Sequence, residues 1–112
     1  MRRSFVLIIG ILAAHGAPAS ADILAKAAHG IADDLLSTLL LSFTGPTLFA
    51  PAMNTAMWEK PSVQRNLTTL REDGFHFVGP QVGWQSCRRQ GMGRMSEPAD
   101  IQVAIEQLLK SK

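Results

Sequence analysis

The chain has 112 residues, 46% of them hydrophobic, and a formal net charge of +2. That length and apolar fraction suit one small globular domain with a modest core and exclude a disordered chain. One cysteine excludes an intrachain disulfide or a cysteine-cluster metal site, and no basic stripe interleaved with aromatics offers a surface to nucleic acid.

The N-terminus carries two readings. Arg2 and Arg3, the apolar residues 5–14, and then Ala19, Ser20 and Ala21 have the pattern of a secretory signal with a twin-arginine start. The competing reading is a buried parallel strand over residues 5–12 that leads into a small-residue turn, and periodicity does not separate the two. The apolar stretch is too short to anchor in a bilayer, so no membrane partner is expected. A lone thiol fits a reducing, cytoplasmic setting; export is the alternative.

Residues 21–30 space Ile23, Leu24, Ala27 and Ala28 as a helix does, with Gly30 as its stop. Residues 31–43 predict a second helix, with Asp33 and Asp34 near its start where carboxylates suit the helix dipole, broken by Thr44, Gly45 and Pro46. Residues 47–50 predict a short strand ending at Pro51. Residues 58–71 predict a helix with Pro61 in its first turn and Val63, Leu67 and Leu70 on one face, closed by Asp73 and Gly74. Residues 75–78 predict another strand, stopped by Gly79 and Pro80. A long loop containing Cys87 follows as far as Pro98, and residues 100–109 predict a last helix.

Strands alternating with helices predict an α/β layer built on a parallel sheet. Ligands in such sheets sit beyond the carboxyl ends of the strands, which gathers three loops: residues 17–21, residues 51–55 and the loop after Pro80.

Each loop has a chemical and a plain reading. Cys87 is flanked by Arg88, Arg89 and Arg94, whose charges favour a thiolate if they lie close to the sulfur; an isolated cysteine is otherwise a small buried apolar residue. Its polar, glycine-rich flanks favour a loop. Asn54 either caps the helix that follows or, with neighbouring N–H groups, receives a carboxylate or phosphate. Met53, Met57 and Trp58 suit a core or subunit contact more than a cofactor contact. Ser20, within the run Pro18-Ala19-Ser20-Ala21-Asp22, offers a hydroxyl and N–H groups to a cofactor, while Ser20 or Asp22 also suits a helix cap. Asp33 and Asp34 are a solvated or capping pair, and His15, His29 and His76 have no ligand-like spacing, so no metal is expected. Gly91-Met92-Gly93 lacks the strand and third glycine of a dinucleotide fingerprint and reads as a hinge.

Three segments in order resemble the flavin-containing cysteine decarboxylases, most closely the phosphopantothenoylcysteine decarboxylases of coenzyme A biosynthesis. They are residues 18–37, residues 51–58, and Cys87 with Gly91, Gly93, Arg94 and Met95. The resemblance implies a flavodoxin-like, Rossmann-like parallel sheet with flanking helices, assembled as homotrimers or multiples of trimers, with FMN and substrate held at subunit contacts. It implies FMN contacts at Ser20, Ala21, Asp22 and Ile23, and a substrate carboxylate on Asn54. It further implies closure over the substrate by the segment from Cys87 through Met95, with Met57, Gly91, Gly93, Arg94 and Met95 at the substrate, and proton donation by Cys87. In the reaction so implied, flavin oxidises the substrate's cysteine thiol to a thioaldehyde. Carbon dioxide then leaves, and reduced flavin returns hydride to the enethiol; the cofactor carries the redox chemistry.

The resemblance runs from about Pro18 to the end. Upstream, the family has a glycine-serine loop for the flavin phosphate and a catalytic histidine, which by position would fall near Ser4. Residues 1–17 are therefore expected to be an atypical segment and residues 18–112 a partial decarboxylase-like domain, incomplete at its N-terminus. Weak FMN binding and poor turnover follow as expectations; a non-catalytic assembly subunit of the same fold, or a small exported protein, are the alternatives.

Overall fold

In the computed structural model, the described residues are 7–9, 19–84 and 90–110. They form strand β1 (Leu7–Ile9), helices α1 (Ala21–His29) and α2 (Leu35–Ser42), strand β2 (Thr47–Phe49) and helices α3 (Thr55–Trp58) and α4 (Pro61–Glu72). Strands β3 (His76–Phe77), β4 (Gln81–Trp84) and β5 (Gln90–Arg94) and helix α5 (Pro98–Lys110) complete them. β1, β2 and β3 lie side by side in that order, both pairs parallel, with Ile8 opposite Leu48 and Phe49 opposite Phe77. Residues 7–9 are thus a strand, as the second of the two N-terminal readings expects. The fold is α/β and flavodoxin-like.

The local chemistry explains the boundaries. α1 starts where the Ser20 hydroxyl accepts a hydrogen bond from the Ile23 N–H, and stops at Gly30, whose φ of 68° is the left-handed geometry that glycine adopts without steric cost. α2 begins four residues later than the apolar pattern predicts, because Asp34 and Ser37 form a reciprocal capping box. The single helix expected over residues 58–71 is two. Pro61 disfavours helical geometry at the residue before it, and Lys60 is extended (φ −61°, ψ 133°), so α3 ends at Trp58 and α4 restarts with Pro61 in its first turn.

β2 is central and buried on both faces, as parallel strands between covering layers are. Its Phe49 is fully buried and lies 5.4 Å from the Phe75 ring and 5.5 Å from the Phe77 ring. Ile23 and Leu24 of α1, Leu40 of α2, Leu67 and Leu70 of α4, and Met53 join Phe49 in one core, with Trp58 packed against it. α2 turns Ser37 and Leu40 inward and leaves Leu35, Leu36, Leu39 and Leu41 exposed, Leu35 by 86%.

The long loop expected between Pro80 and Pro98 is in large part a hairpin. β4 and β5 pair antiparallel, Gly83 opposite Gly91 and Gln81 opposite Arg94, so Gly91 and Gly93 are strand residues rather than a loop hinge. Cys87, Arg88 and Arg89 lie outside the described residues.

Candidate functional site

Two turns meet at the carboxyl end of β2. Ala19 pairs parallel with Pro51: the Ala19 N–H donates to the Ala50 carbonyl (3.2 Å), and the Ala52 N–H donates to the Ala19 carbonyl (3.1 Å). Ala19 and Pro51 are buried, so this contact fixes where α1 begins relative to α3. A third element joins through the Met53 N–H, which donates to the Gly93 carbonyl of β5 (2.9 Å), and α3 packs against β5. The three loops gathered by the strand-end rule are therefore physically connected.

At the first turn, the Ser20 hydroxyl oxygen accepts from the Ile23 N–H at 3.3 Å and the Ser20 carbonyl from the Leu24 N–H at 3.1 Å. The Ala21 and Asp22 amides point beyond the helix end, where α1 presents its positive dipole pole. A hydroxyl that accepts still has its own O–H to donate. Ser20 is exposed, so a planar polar edge can reach it, whereas the Ile23 side chain belongs to the core and its N–H already donates to Ser20.

At the second turn, Asn54 Oδ1 accepts from the Met57 N–H at 2.9 Å. The capping reading of Asn54 is correct, and it fixes the amide in one orientation with its NH₂ as the donor. Asn54 is half-buried, Met57 is 41% exposed, and Met53 is buried in the core. On the hairpin, Gly93 is buried, Met95 is half-buried, and the exposed Arg94 guanidinium forms an ion pair with Glu97.

Behind α1, Lys26 reaches three carboxylates: Asp22 at 3.4 Å, Asp33 at 3.1 Å and Asp34 at 3.3 Å. The Asp33 hydrogen bond leads in holding the Lys26 ammonium well above the ordinary lysine range. The Ser37 backbone N–H, followed by the Ser37 hydroxyl and Lys26, lowers the Asp34 carboxyl to about 2. This cluster ties α1 to the start of α2. A cavity of about 300 Å³ beside it, lined by Lys26, Gly30, Ser37, Leu40, Phe43 and Phe75, lies at the Gly30 end of α1.

Sequence reasoning missed two connections, the Ala19–Pro51 bridge and the Met53–Gly93 hydrogen bond. Both are backbone contacts between distant segments, and no residue type announces them.

A parallel α/β layer with helix N-termini and a hairpin gathered beyond its strand ends defines a ligand-binding domain of the flavodoxin-like class. The flavoprotein family matches residues 16–110, and the chain belongs to that family. It is 46% identical over 96 residues to the coenzyme A biosynthesis bifunctional protein CoaBC of Haemophilus influenzae, covering 86% of this chain and 24% of that one. It is 47% identical over 85 residues to the protein of the same description from Bacillus subtilis, covering 76% and 21%. Among solved structures, a PPC decarboxylase mutant complexed with pantothenoylaminoethenethiol superposes with a TM-score of 0.83 at 34% identity, over 94% of this chain and 55% of that chain. The FMN-dependent cysteine decarboxylase SpaF superposes with a TM-score of 0.72 at 43% identity, over 95% and 51%. The chain thus spans about a quarter of the length of these curated relatives and about half that of the solved chains.

Proposed function

We propose that residues 18–112 take part in the FMN-dependent decarboxylation of 4'-phosphopantothenoylcysteine to 4'-phosphopantetheine, in coenzyme A biosynthesis. The observation that carries this reading is the pairing of Ala19 with Pro51, which sets the Ser20 turn beside the Asn54 turn. A flavin edge and a substrate carboxylate need that adjacency, since the oxidised carbon and the departing carboxylate belong to one cysteine residue.

The residues present fit a flavin edge: an exposed Ser20 at the positive end of α1, with outward amides at Ala21 and Asp22, matches the acceptor atoms of an isoalloxazine ring. FMN, when bound, supplies the two-electron chemistry that turns the thiol-bearing carbon into an electron sink for loss of carbon dioxide. Asn54 donates its amide N–H to the substrate carboxylate and so orients it. Met57 lines the approach, and Gly91, Gly93, Arg94 and Met95 bring the hairpin over the bound molecule. Cys87 is the proton donor in this reading.

The exposed leucines of α2 support assembly into trimers or multiples of trimers, because an apolar stripe of that size suits a subunit contact better than water. The single thiol suits a reducing cytoplasm. The pairing of residues 7–9 with β2 supports retention of the N-terminal residues over their removal as an export signal.

The test is to purify the chain, record its visible spectrum with and without added FMN, and follow carbon dioxide release from 4'-phosphopantothenoylcysteine. A flavin band and release of carbon dioxide uphold the reading. A colourless protein that takes up no FMN favours the non-catalytic assembly subunit instead.

A further inference from the structure

The hairpin β4–β5 meets the Asn54 turn through the Met53–Gly93 hydrogen bond and the packing of α3 against β5, and contacts at its base bear on the angle at which it leaves the sheet. The ladder ends at the pair Gln81 and Arg94. Gly79 stands two residues before β4 begins, and Ser96 two residues after β5 ends. Ser96 is 1% exposed, and its hydroxyl has no hydrogen-bond partner. A Cβ placed on Gly79 would collide with that hydroxyl and stand 3.4 Å from both the Ser96 Cβ and the Ser96 backbone nitrogen. Gly79 also has a φ of 73°, which side chains rarely adopt.

We infer that Gly79 is a positioning residue for the site: its side-chain-free approach to Ser96 clamps the base of the hairpin and so holds the Gly93 carbonyl over the Met53 amide. The inference rests on the reading that the hairpin covers the substrate, and it assigns the setting of that cover to a residue outside the binding residues. A buried hydroxyl without a partner costs stability, so hydrogen bonding does not explain Ser96. Its role is steric, as a small side chain against which Gly79 closes. The Gln81 side-chain amide, donating to Asp100 of α5 at 2.8 Å, secures the same corner from the outside.

Amide hydrogen exchange on the purified chain tests this without flavin or substrate, so its failure is distinct from failure of the decarboxylase reading. The reporter is the Met53 amide, and the internal reference is the Val78 amide, which donates to Phe49 in the sheet. Gly79→Ala is expected to lower Met53 protection about tenfold or more, as overpacking by one methyl does, while Val78 keeps its protection. Adding Ser96→Ala removes the colliding oxygen and restores most of the loss. Gly30→Ala has nearly the same φ (68°) and nothing within 4 Å of the new Cβ, so it carries the backbone cost alone and leaves Met53 protected. Ser96→Ala by itself folds at least as stably as the parent and keeps Met53 protected. Unchanged Met53 protection in Gly79→Ala overturns the inference. So does failure of Ser96→Ala to recover it, or loss of protection in Ser96→Ala alone; the last outcome keeps the test decisive even if Gly79→Ala does not fold.

Discussion

The backbone N–H of Met53 donates to the carbonyl of Gly93 at 2.9 Å, joining the turn that carries Asn54 to the strand that carries Arg94. Met53 itself is buried in the core with Phe49 and Leu67, so the bond has one anchored end. The hairpin is thereby tied to a turn whose own position the core sets.

Asn54 caps α3, and the proposed function gives it a second role at the substrate carboxylate; substitution separates the two. Asn54→Ala removes the acceptor for the Met57 N–H and is expected to cost about 1 kcal/mol of stability. Asn54→Asp keeps the cap, and hence the melting temperature, while placing a negative charge where the proposed function seats the substrate carboxylate. Thermal melts beside substrate titrations should show the Asn54→Asp chain as stable and non-binding; substrate affinity equal to that of the parent rules out the carboxylate role.

The acid limb of the stability curve should carry the signature of Asp34. Its folded carboxyl lies at about 2, below the ordinary 3.8, so its contribution is fully present above about pH 4 and is lost as pH falls through 2. Asp34→Asn removes that dependence, and denaturant midpoints measured from about pH 5 down to about pH 2 should flatten relative to the parent. Lys26 works in the opposite sense: its pKa is raised in the fold, so its contribution is whole below 10.5 and is lost only at higher pH.

Leu35→Glu and Leu41→Glu put charges on the exposed face of α2 without entering the core. Sedimentation velocity is expected to show the parent as an oligomer and both variants shifted toward monomer, with unchanged helix content. An oligomer that keeps its size in both variants places the subunit contact elsewhere.

Phe49 is the residue on which the sheet and helices converge. Phe49→Ala is expected to cost about 3–5 kcal/mol, a large part of the stability of a domain this small, whereas Phe49→Leu should cost appreciably less. Chemical denaturation read by circular dichroism measures both.

Much of the fold was legible because local chemistry decides it. Gly30, Asp34, Pro46, Pro51 and Pro61 mark helix and strand ends through φ preferences, caps and the missing proline N–H, and these act within a few residues. The split at Lys60 follows from the same proline rule, applied to the residue before it. The hairpin was not legible: Gln81-Val82-Gly83-Trp84 and Gln90-Gly91-Met92-Gly93-Arg94 hold three glycines and no clean alternation, so their pairing comes from tertiary contact rather than propensity. The site was half legible. Ser20 and Asn54 stood out as polar residues at helix starts, yet neither type reveals that Ala19 and Pro51 would set them side by side.

That bridge limits how this site can change. Because backbone hydrogen bonds tie the two turns together, lengthening either by a residue would shift the Ser20 turn relative to the Asn54 turn, whatever side chains it bore. On the proposed function, new substrates are thus open to the chain through exchange at positions such as 54 and 57, and closed to it through insertion.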